Sequence, residues 1–297
     1  MSSLRTALTT RRLVLDGGLG TLLERHGLDL TSPLWSARLL LDDPDRIRAA
    51  HLEFYEAGAD IAISSSYQVS YEGMLRLGID QDGTDRLLAL SVALAREAAE
   101  MASGNRERWV AASVGPYGAM LADGSEYRGD YGLSVAELRE WHAPRLRALK
   151  AASPDVIAVE TIPSLAEIEA IVAELDGSGL DAWISVTVAT GMLRSGESLR
   201  EAFALAASID EVVAVGINCS DPLEVTGAID TARAVTDVPL IVYPNSGEQW
   251  DAKNRRWLGN AGFPARLVQE WASAGAAIVG GCCRVGPEEI RVISDLA

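Results

Sequence analysis

The chain has 297 residues, 48% of them hydrophobic, the composition of an ordinary globular protein with ample material for a core. Its formal charge of -16, from 42 acidic against 26 basic side chains, excludes a basic surface for nucleic acid. No apolar run reaches the roughly 18 residues a membrane span needs, and Met1-Ser2-Ser3-Leu4-Arg5 leads into no signal-peptide core, so a cytoplasmic location is expected. Three cysteines, two of them adjacent, argue against a disulfide framework and suit a reducing compartment.

Taken in order, apolar runs of strand length alternate with segments of helical periodicity. The runs are Leu13 to Leu15, Asp60 to Ser64, Trp109 to Val114, Val156 to Val159, Ala182 to Val188, Val212 to Ile217, Pro239 to Tyr243 and Ala276 to Val279. Such parallel βα units predict one closed (β/α)8 TIM barrel over residues 1–297, with an open doubly wound sheet as the alternative. Ile47, Ala50, His51, Phe54 and Ala57 share one face of the first long helix, which makes His51 a packed core histidine. His26 and His142 fall in polar surroundings and carry no signal. Ser134 with Glu137, Ser164 with Glu167 and Ser198 with Glu201 have capping-box spacing. Asp221-Pro222, with Glu224 behind it, reads as an N-cap followed by proline at the first helical position. Pro144 lies inside a helical pattern and is expected to kink or divide that helix.

A barrel places its chemistry at the C-terminal ends of its strands. Those ends read Asp16-Gly17-Gly18, Ser66-Tyr67-Gln68, Gly115-Pro116-Tyr117, Glu160-Thr161, Thr187, Asn218-Cys219, Pro244-Asn245-Ser246 and Cys282-Cys283. Two connections at this face, Gly118 through Gly132 and Asn245 to about Gly262, exceed what a barrel needs and are expected to be lids or substrate walls.

All three cysteines fall at strand exits. Adjacent Cys282 and Cys283 cannot both point inward from a regular strand, so the strand must end before them, and Gly280-Gly281 would give the backbone freedom to turn. Three thiolates converging on one ion match a catalytic zinc site, which leaves the fourth position for water or substrate. The alternatives are small buried hydrophobes, or a redox pair of Cys282 with Cys283.

Leu15-Asp16-Gly17-Gly18-Leu19-Gly20-Thr21, Gly216-Ile217-Asn218-Cys219 and Gly280-Gly281-Cys282-Cys283 together resemble the homocysteine S-methyltransferase family across essentially the whole chain. Ser66-Tyr67-Gln68, the segment from Ala122 to Tyr131, and Tyr243-Pro244-Asn245-Ser246-Gly247-Glu248 look most like the branch that uses S-methylmethionine. The resemblance implies Zn²⁺ on Cys219, Cys282 and Cys283, with the homocysteine sulfur as fourth ligand and a sulfonium as methyl donor, S-methylmethionine or S-adenosylmethionine. It implies substrate contacts at Asp16, Gly17, Glu160, Asn218, Tyr67, Gln68, Tyr117 and Asn245. Asp16 and Glu160 suit the ammonium group, Asn218 the second shell or substrate, and Tyr67, Tyr117 and Tyr243 offer aromatic faces to a sulfonium. After the fifth strand, Met192-Leu193-Arg194-Ser195-Gly196-Glu197 departs from the Asp-Gly pair of relatives. The chain also lacks the C-terminal extension of betaine-using enzymes, which implies a monomer or weak homo-oligomer. Competing functions are methyl transfer to another thiol or a selenol such as selenocysteine, a corrinoid- or folate-dependent methyltransferase, and a non-enzymatic zinc or thiol sensor on the same barrel.

Overall fold

The computed structural model describes residues 2–28, 35–251, 256–258 and 265–296. Its frame is eight parallel strands: β1 Leu13–Val14, β2 Ile61–Ile63, β3 Trp109–Val114, β4 Val156–Ile162, β5 Ala182–Val186, β6 Val212–Asn218, β7 Leu240–Tyr243 and β8 Ala276–Val279. Sequential strands pair side by side, β8 pairs with β1, and a Leu15–Ile61 bridge joins β1 to β2, so the sheet closes as the (β/α)8 pattern requires. Every predicted run coincides with one of these strands, although β4 continues to Ile162, past the expected Val159, and β6 to Asn218, past the expected Ile217. The fifth is shorter than expected: it stops at Val186, and Val188–Ala189 instead pairs with Met192–Leu193 as a small antiparallel ladder at the mouth.

Side chains alternate along each strand, which divides the core in two. Leu13, Leu15, Ile61, Trp109, Trp183, Ile241, Tyr243 and Ile278 fill the barrel, and the short helix Leu4–Leu8 closes its base by adding Leu4 to that cluster. The opposite strand faces meet the helices in a larger outer core. His51 is fully buried there, as its helical face predicts, and burial lowers its pKa to about 4, so it is neutral.

Several local expectations change. Pro144 does not divide its helix, which runs unbroken from Val135 to Ala151 with Leu138, His142, Arg145, Leu146 and Leu149 packed inward. Those contacts outweigh the one hydrogen bond the proline removes. His142 lies not in polar surroundings but at zero exposure, bonded to Glu167 through Nε2 at 2.9 Å and to Arg145 through Nδ1 at 3.2 Å. Ser134 and Glu137 form the full reciprocal box. Ser164 and Ser198 cap their helices, but Glu167 sends its carboxylate to His142 and to the Tyr117 amide, 2.6 Å away. The connection from 118 to 132 is ordered into the end of the helix Tyr117–Leu121 and the 3₁₀ turn Ser125–Tyr127. The connection after β7 contains the antiparallel pair Gln249–Asp251 and Arg256–Leu258, and its residues 252–255 and 259–264 lie outside the described residues.

At the base, buried Asp60 joins the first two strands. It accepts Val14 N at 2.9 Å, Arg11 through both guanidinium nitrogens at 2.8 and 3.0 Å, and Arg106 at 3.4 Å. Asp60→Ala leaves the Val14 amide and two cations without this acceptor. It is expected to cost about 3 kcal/mol in urea unfolding, and a loss under about 0.5 kcal/mol would show that the cluster contributes little.

Candidate active site

The sulfurs of Cys219, Cys282 and Cys283 lie within 4.8 Å of one another at the mouth, although their residues are far apart in sequence. Cys219 reaches the cluster because the chain leaves β6 through a left-handed turn at Cys219 itself, φ 46°. β8 ends at Val279, before the cysteine pair, as two adjacent inward sulfurs demand. The glycines ahead of them act differently from expectation. Neither has positive φ; a Cβ on Gly280 would lie 2.6 Å from Leu15 Cβ, and one on Gly281 would lie 2.1 Å from Val285 Cγ1. They are clearance residues, and the left-handed turn falls after the pair, at Arg284, φ 69°.

Hydrogen bonds hold this segment on both sides. Cys282 N donates to Pro244 O at 2.8 Å, Cys283 N to the Asn245 side-chain oxygen at 3.1 Å, and Gly281 N to Asp16 O at 3.1 Å. Gly17 and Gly18 pass under the same loop, where a Cβ would stand 2.3 Å from Val285 O and 2.5 Å from Cys282 O respectively. Arg284 is fixed by Glu248 at 2.9 Å, which ties the β7 and β8 exits together and holds the Glu248 carboxyl below its ordinary range.

Three cysteine sulfurs are a donor set that could hold a thiophilic cation. Ligands about 2.3 Å from a tetrahedral zinc stand about 3.8 Å apart, and Cys219 Sγ lies 3.9 Å from Cys283 Sγ. Cys219 and Cys282 are joined as a disulfide, and Cys283 is free. The pairing is therefore not the adjacent one that the sequence raised. Three thiolates this close repel unless a cation lies among them, and bonding two as a neutral disulfide is the other way to relieve that charge. Burial pushes the Cys283 thiol up to about 12, so it needs a positive neighbour to ionise near neutral pH.

Two buried carboxylates share the mouth with the sulfurs. Asp16 is 1% exposed; Oδ2 accepts Ile63 N at 2.8 Å, while Oδ1 is buried without a partner. Burial raises its pKa well above the carboxylate range, and the nearby Glu160 raises it further. Glu160, 6% exposed, accepts from Ser113 Oγ and from the Tyr243 hydroxyl, and burial lifts its pKa to about 7. An unpaired buried oxygen beside a second carboxylate suits a small cation.

The other expected residues divide. Asn218 is fully buried and clamps the β4 exit, accepting Thr161 N at 2.7 Å and donating to Thr161 Oγ1 at 2.8 Å. Thr161 is left-handed, φ 63°, so this clamp keeps the turn beside Glu160. The Tyr67 ring packs where Gly115 has no Cβ, 2.7 Å from that position, and its hydroxyl bonds to Thr161. Gln68 donates to Ala119 O at 3.3 Å. Tyr117 sits in an aromatic group with Tyr131 and Trp141, at centroid distances of 5.3 and 5.2 Å, and its hydroxyl lies in the field of Glu72 and Arg76. Tyr243 is 1% exposed in the barrel interior, where it supports Glu160 through its hydroxyl; this places it below the mouth and corrects the expectation of an aromatic face for a sulfonium. Sequence reasoning missed Ser113, Thr161 as a clamp and the Glu248–Arg284 pair.

A parallel barrel with paired carboxylates and three convergent cysteine sulfurs that could hold a metal ion at its strand exits has the layout of an enzyme of thiol chemistry. The comparisons are specific. The family model for homocysteine S-methyltransferase matches residues 13–297. Homocysteine S-methyltransferase 2 of Zea mays is 44% identical over 300 residues, 95% of this chain and 88% of that protein. Selenocysteine Se-methyltransferase of Brassica oleracea var. italica is 41% identical, covering 94% and 87%. The crystal structure of the homocysteine methyltransferase of Escherichia coli in its metallated form matches with a TM-score of 0.88 and 40% identity over 99% of each chain. Its oxidized form matches with a TM-score of 0.89, 40% identity and full coverage of both chains. The protein belongs to the homocysteine S-methyltransferase family.

The raised Glu160 pKa gives a stability prediction for the substrate-free protein. Folding favours the protonated form, so its contribution is present below the unfolded value of 4.5 and is lost as pH rises to about 7, with a plateau above. The loss is on the order of 3 kcal/mol. Glu160→Gln removes this slope, and urea unfolding at acid and neutral pH with the same change in both proteins would contradict the assignment.

Proposed function

We propose that the protein transfers a methyl group from a sulfonium donor, S-methylmethionine first and S-adenosylmethionine second, to homocysteine, with Zn²⁺ held by reduced Cys219, Cys282 and Cys283. The observation that carries this reading is the meeting of three cysteine sulfurs with two buried carboxylates, one of which has an unpaired oxygen. An acceptor with a thiol at one end and an ammonium at the other matches both halves. The ion, when bound, would supply the positive charge that keeps the acceptor sulfur deprotonated at neutral pH.

The protein's own residues do the rest. Asp16 Oδ1 and Glu160 take the acceptor's ammonium, which gives Asp16 the partner it lacks and draws both pKa values down. Ser113 and Tyr243 fix the Glu160 carboxylate from below. Asn218 and Asn245 position the Cys219 and Cys283 backbones, the first through the strand it ends and the second through the Cys283 amide. Tyr67 lines the donor side, where an aromatic surface favours a sulfonium. The acceptor sulfur attacks the donor methyl carbon, the carbon–sulfonium bond breaks, and its electron pair returns to the donor sulfur as a neutral thioether. The thiol proton leaves before transfer, so no general base acts during it. Catalysis is then alignment and exclusion of water by the mouth loops. The similarity to a selenocysteine Se-methyltransferase makes selenocysteine the second acceptor to test.

Purified reduced protein is expected to form methionine from homocysteine and S-methylmethionine, more slowly with S-adenosylmethionine, and to lose turnover with a zinc chelator. No turnover with either donor, from protein containing one zinc per chain, would overturn the reading. A higher kcat/KM for selenocysteine would reassign the acceptor. Glu160→Ala is expected to raise the homocysteine KM about 10- to 100-fold, and unchanged binding and turnover would remove its proposed role.

A further inference from the structure

Beside the sulfur and carboxylate site stands a second charged cluster that the reaction described above does not use. Glu126 lies on the 3₁₀ turn Ser125–Tyr127 of the β3 connection, and its Oε2 is buried without a partner. Burial raises its pKa, and its backbone packs on the β3 exit, where a Cβ on Gly118 would lie 2.4 Å from Glu126 N. The nearby Arg128 offsets the rise only in part, because its guanidinium goes to Ser125 Oγ at 2.7 Å, to Asp130 at 3.4 Å and to Asp123 at 3.5 Å.

Arg194 approaches from the other side, on the loop after β5. Its guanidinium stands over the Tyr127 ring, 5.5 Å from the centroid, and its Nε is buried without a partner. The two loops meet on one anchor. Ser195 N donates to Pro163 O at 3.1 Å, and Gly129 packs so closely there that a Cβ would lie 3.2 Å from the same oxygen. Pro163 closes the β4 exit just beyond Glu160, so the cluster adjoins the acceptor carboxylates. A buried carboxylate oxygen on one loop and a buried guanidinium nitrogen on the other each lack a hydrogen-bond partner. An α-amino-acid head group supplies both, with an ammonium and a carboxylate on one carbon.

We propose that Glu126 and Arg194, on either side of Tyr127, form the subsite for the amino-acid head of the sulfonium donor, Glu126 taking its ammonium and Arg194 its carboxylate. This inference rests on the methyl-transfer reading and adds the part of the site that tells an amino-acid sulfonium from a simple one. The Tyr127 ring, next to Glu126 in the chain, supports Arg194 by stacking under its guanidinium.

Steady-state kinetics with two donors test it. Glu126→Gln is expected to raise the KM for S-methylmethionine about 10- to 100-fold and leave the homocysteine KM and zinc content unchanged. With dimethylsulfoniopropionate, which has a carboxylate but no ammonium, Glu126→Gln should leave the donor KM unmoved, whereas Arg194→Met should raise it for both donors. Glu126→Asp should recover part of the loss. Wild-type turnover with donor KM values unmoved in both variants would overturn this subsite alone. A rise in homocysteine KM in place of donor KM would also overturn it, by assigning the cluster to the acceptor. Wild-type protein inactive with every sulfonium donor would remove the reaction and the subsite together.

Discussion

The site depends on the hydrogen bonds that seat the Cys282–Cys283 segment between the exits of β1 and β7. Gly281 N reaches Asp16 O, Cys282 N reaches Pro244 O, and Ser246 N returns to Cys283 O at 3.1 Å. These contacts bring an acid from the first strand, two sulfurs from the last and an amide from the seventh to one place. They require close backbone approach, which is why Gly17, Gly18, Gly280 and Gly281 stand where any side chain would collide. From β6, the next strand beyond β7, the left-handed Cys219 delivers the third sulfur. The geometry is over-determined by backbone, and that is what lets a non-glycine residue persist in a sparsely populated conformation there.

Around this seam the charges are arranged in one sense. Sulfurs and carboxylates collect in a buried, acid-rich mouth, where desolvation raises their pKa values and the charge of Glu160 adds to the effect at Asp16 and Cys283. Empty, such a site is costly; it is relieved by cations. A thiophilic ion, an ammonium group and a sulfonium are three cations of different chemistry, and the proposed reaction brings all three. The groups that hold the acids in place are neutral donors, Ser113, Tyr243 and the Ile63 amide, so the negative potential is oriented without being cancelled.

Much of this was legible in the sequence, for identifiable reasons. The strands announce themselves because β1 to β8 are buried on both faces and read as short apolar runs bounded by turn residues. Adjacent cysteines after an apolar run can only be a strand exit, so the sulfur cluster follows from pleat geometry. What failed was whatever depends on a partner distant in the chain. Gly280 and Gly281 look like hinges until Leu15 and Val285 are seen against them. His142 and Glu167 look like surface residues of two helices until packing buries them against each other. Pro144 looks like a breaker, yet tertiary contacts carry the helix through it. Glu126 and Arg194 belong to loops whose meeting point, Pro163, no local pattern indicates.

Sulfur coordination is the measurement closest to the centre of this account. X-ray absorption at the zinc edge, on protein purified under reducing conditions, should give one zinc per chain with three sulfur neighbours at about 2.3 Å and one lighter atom. Addition of homocysteine should convert the lighter neighbour to a fourth sulfur. A zinc-loaded protein whose first shell holds fewer than three sulfurs, or whose sulfur count does not change with homocysteine, would contradict it.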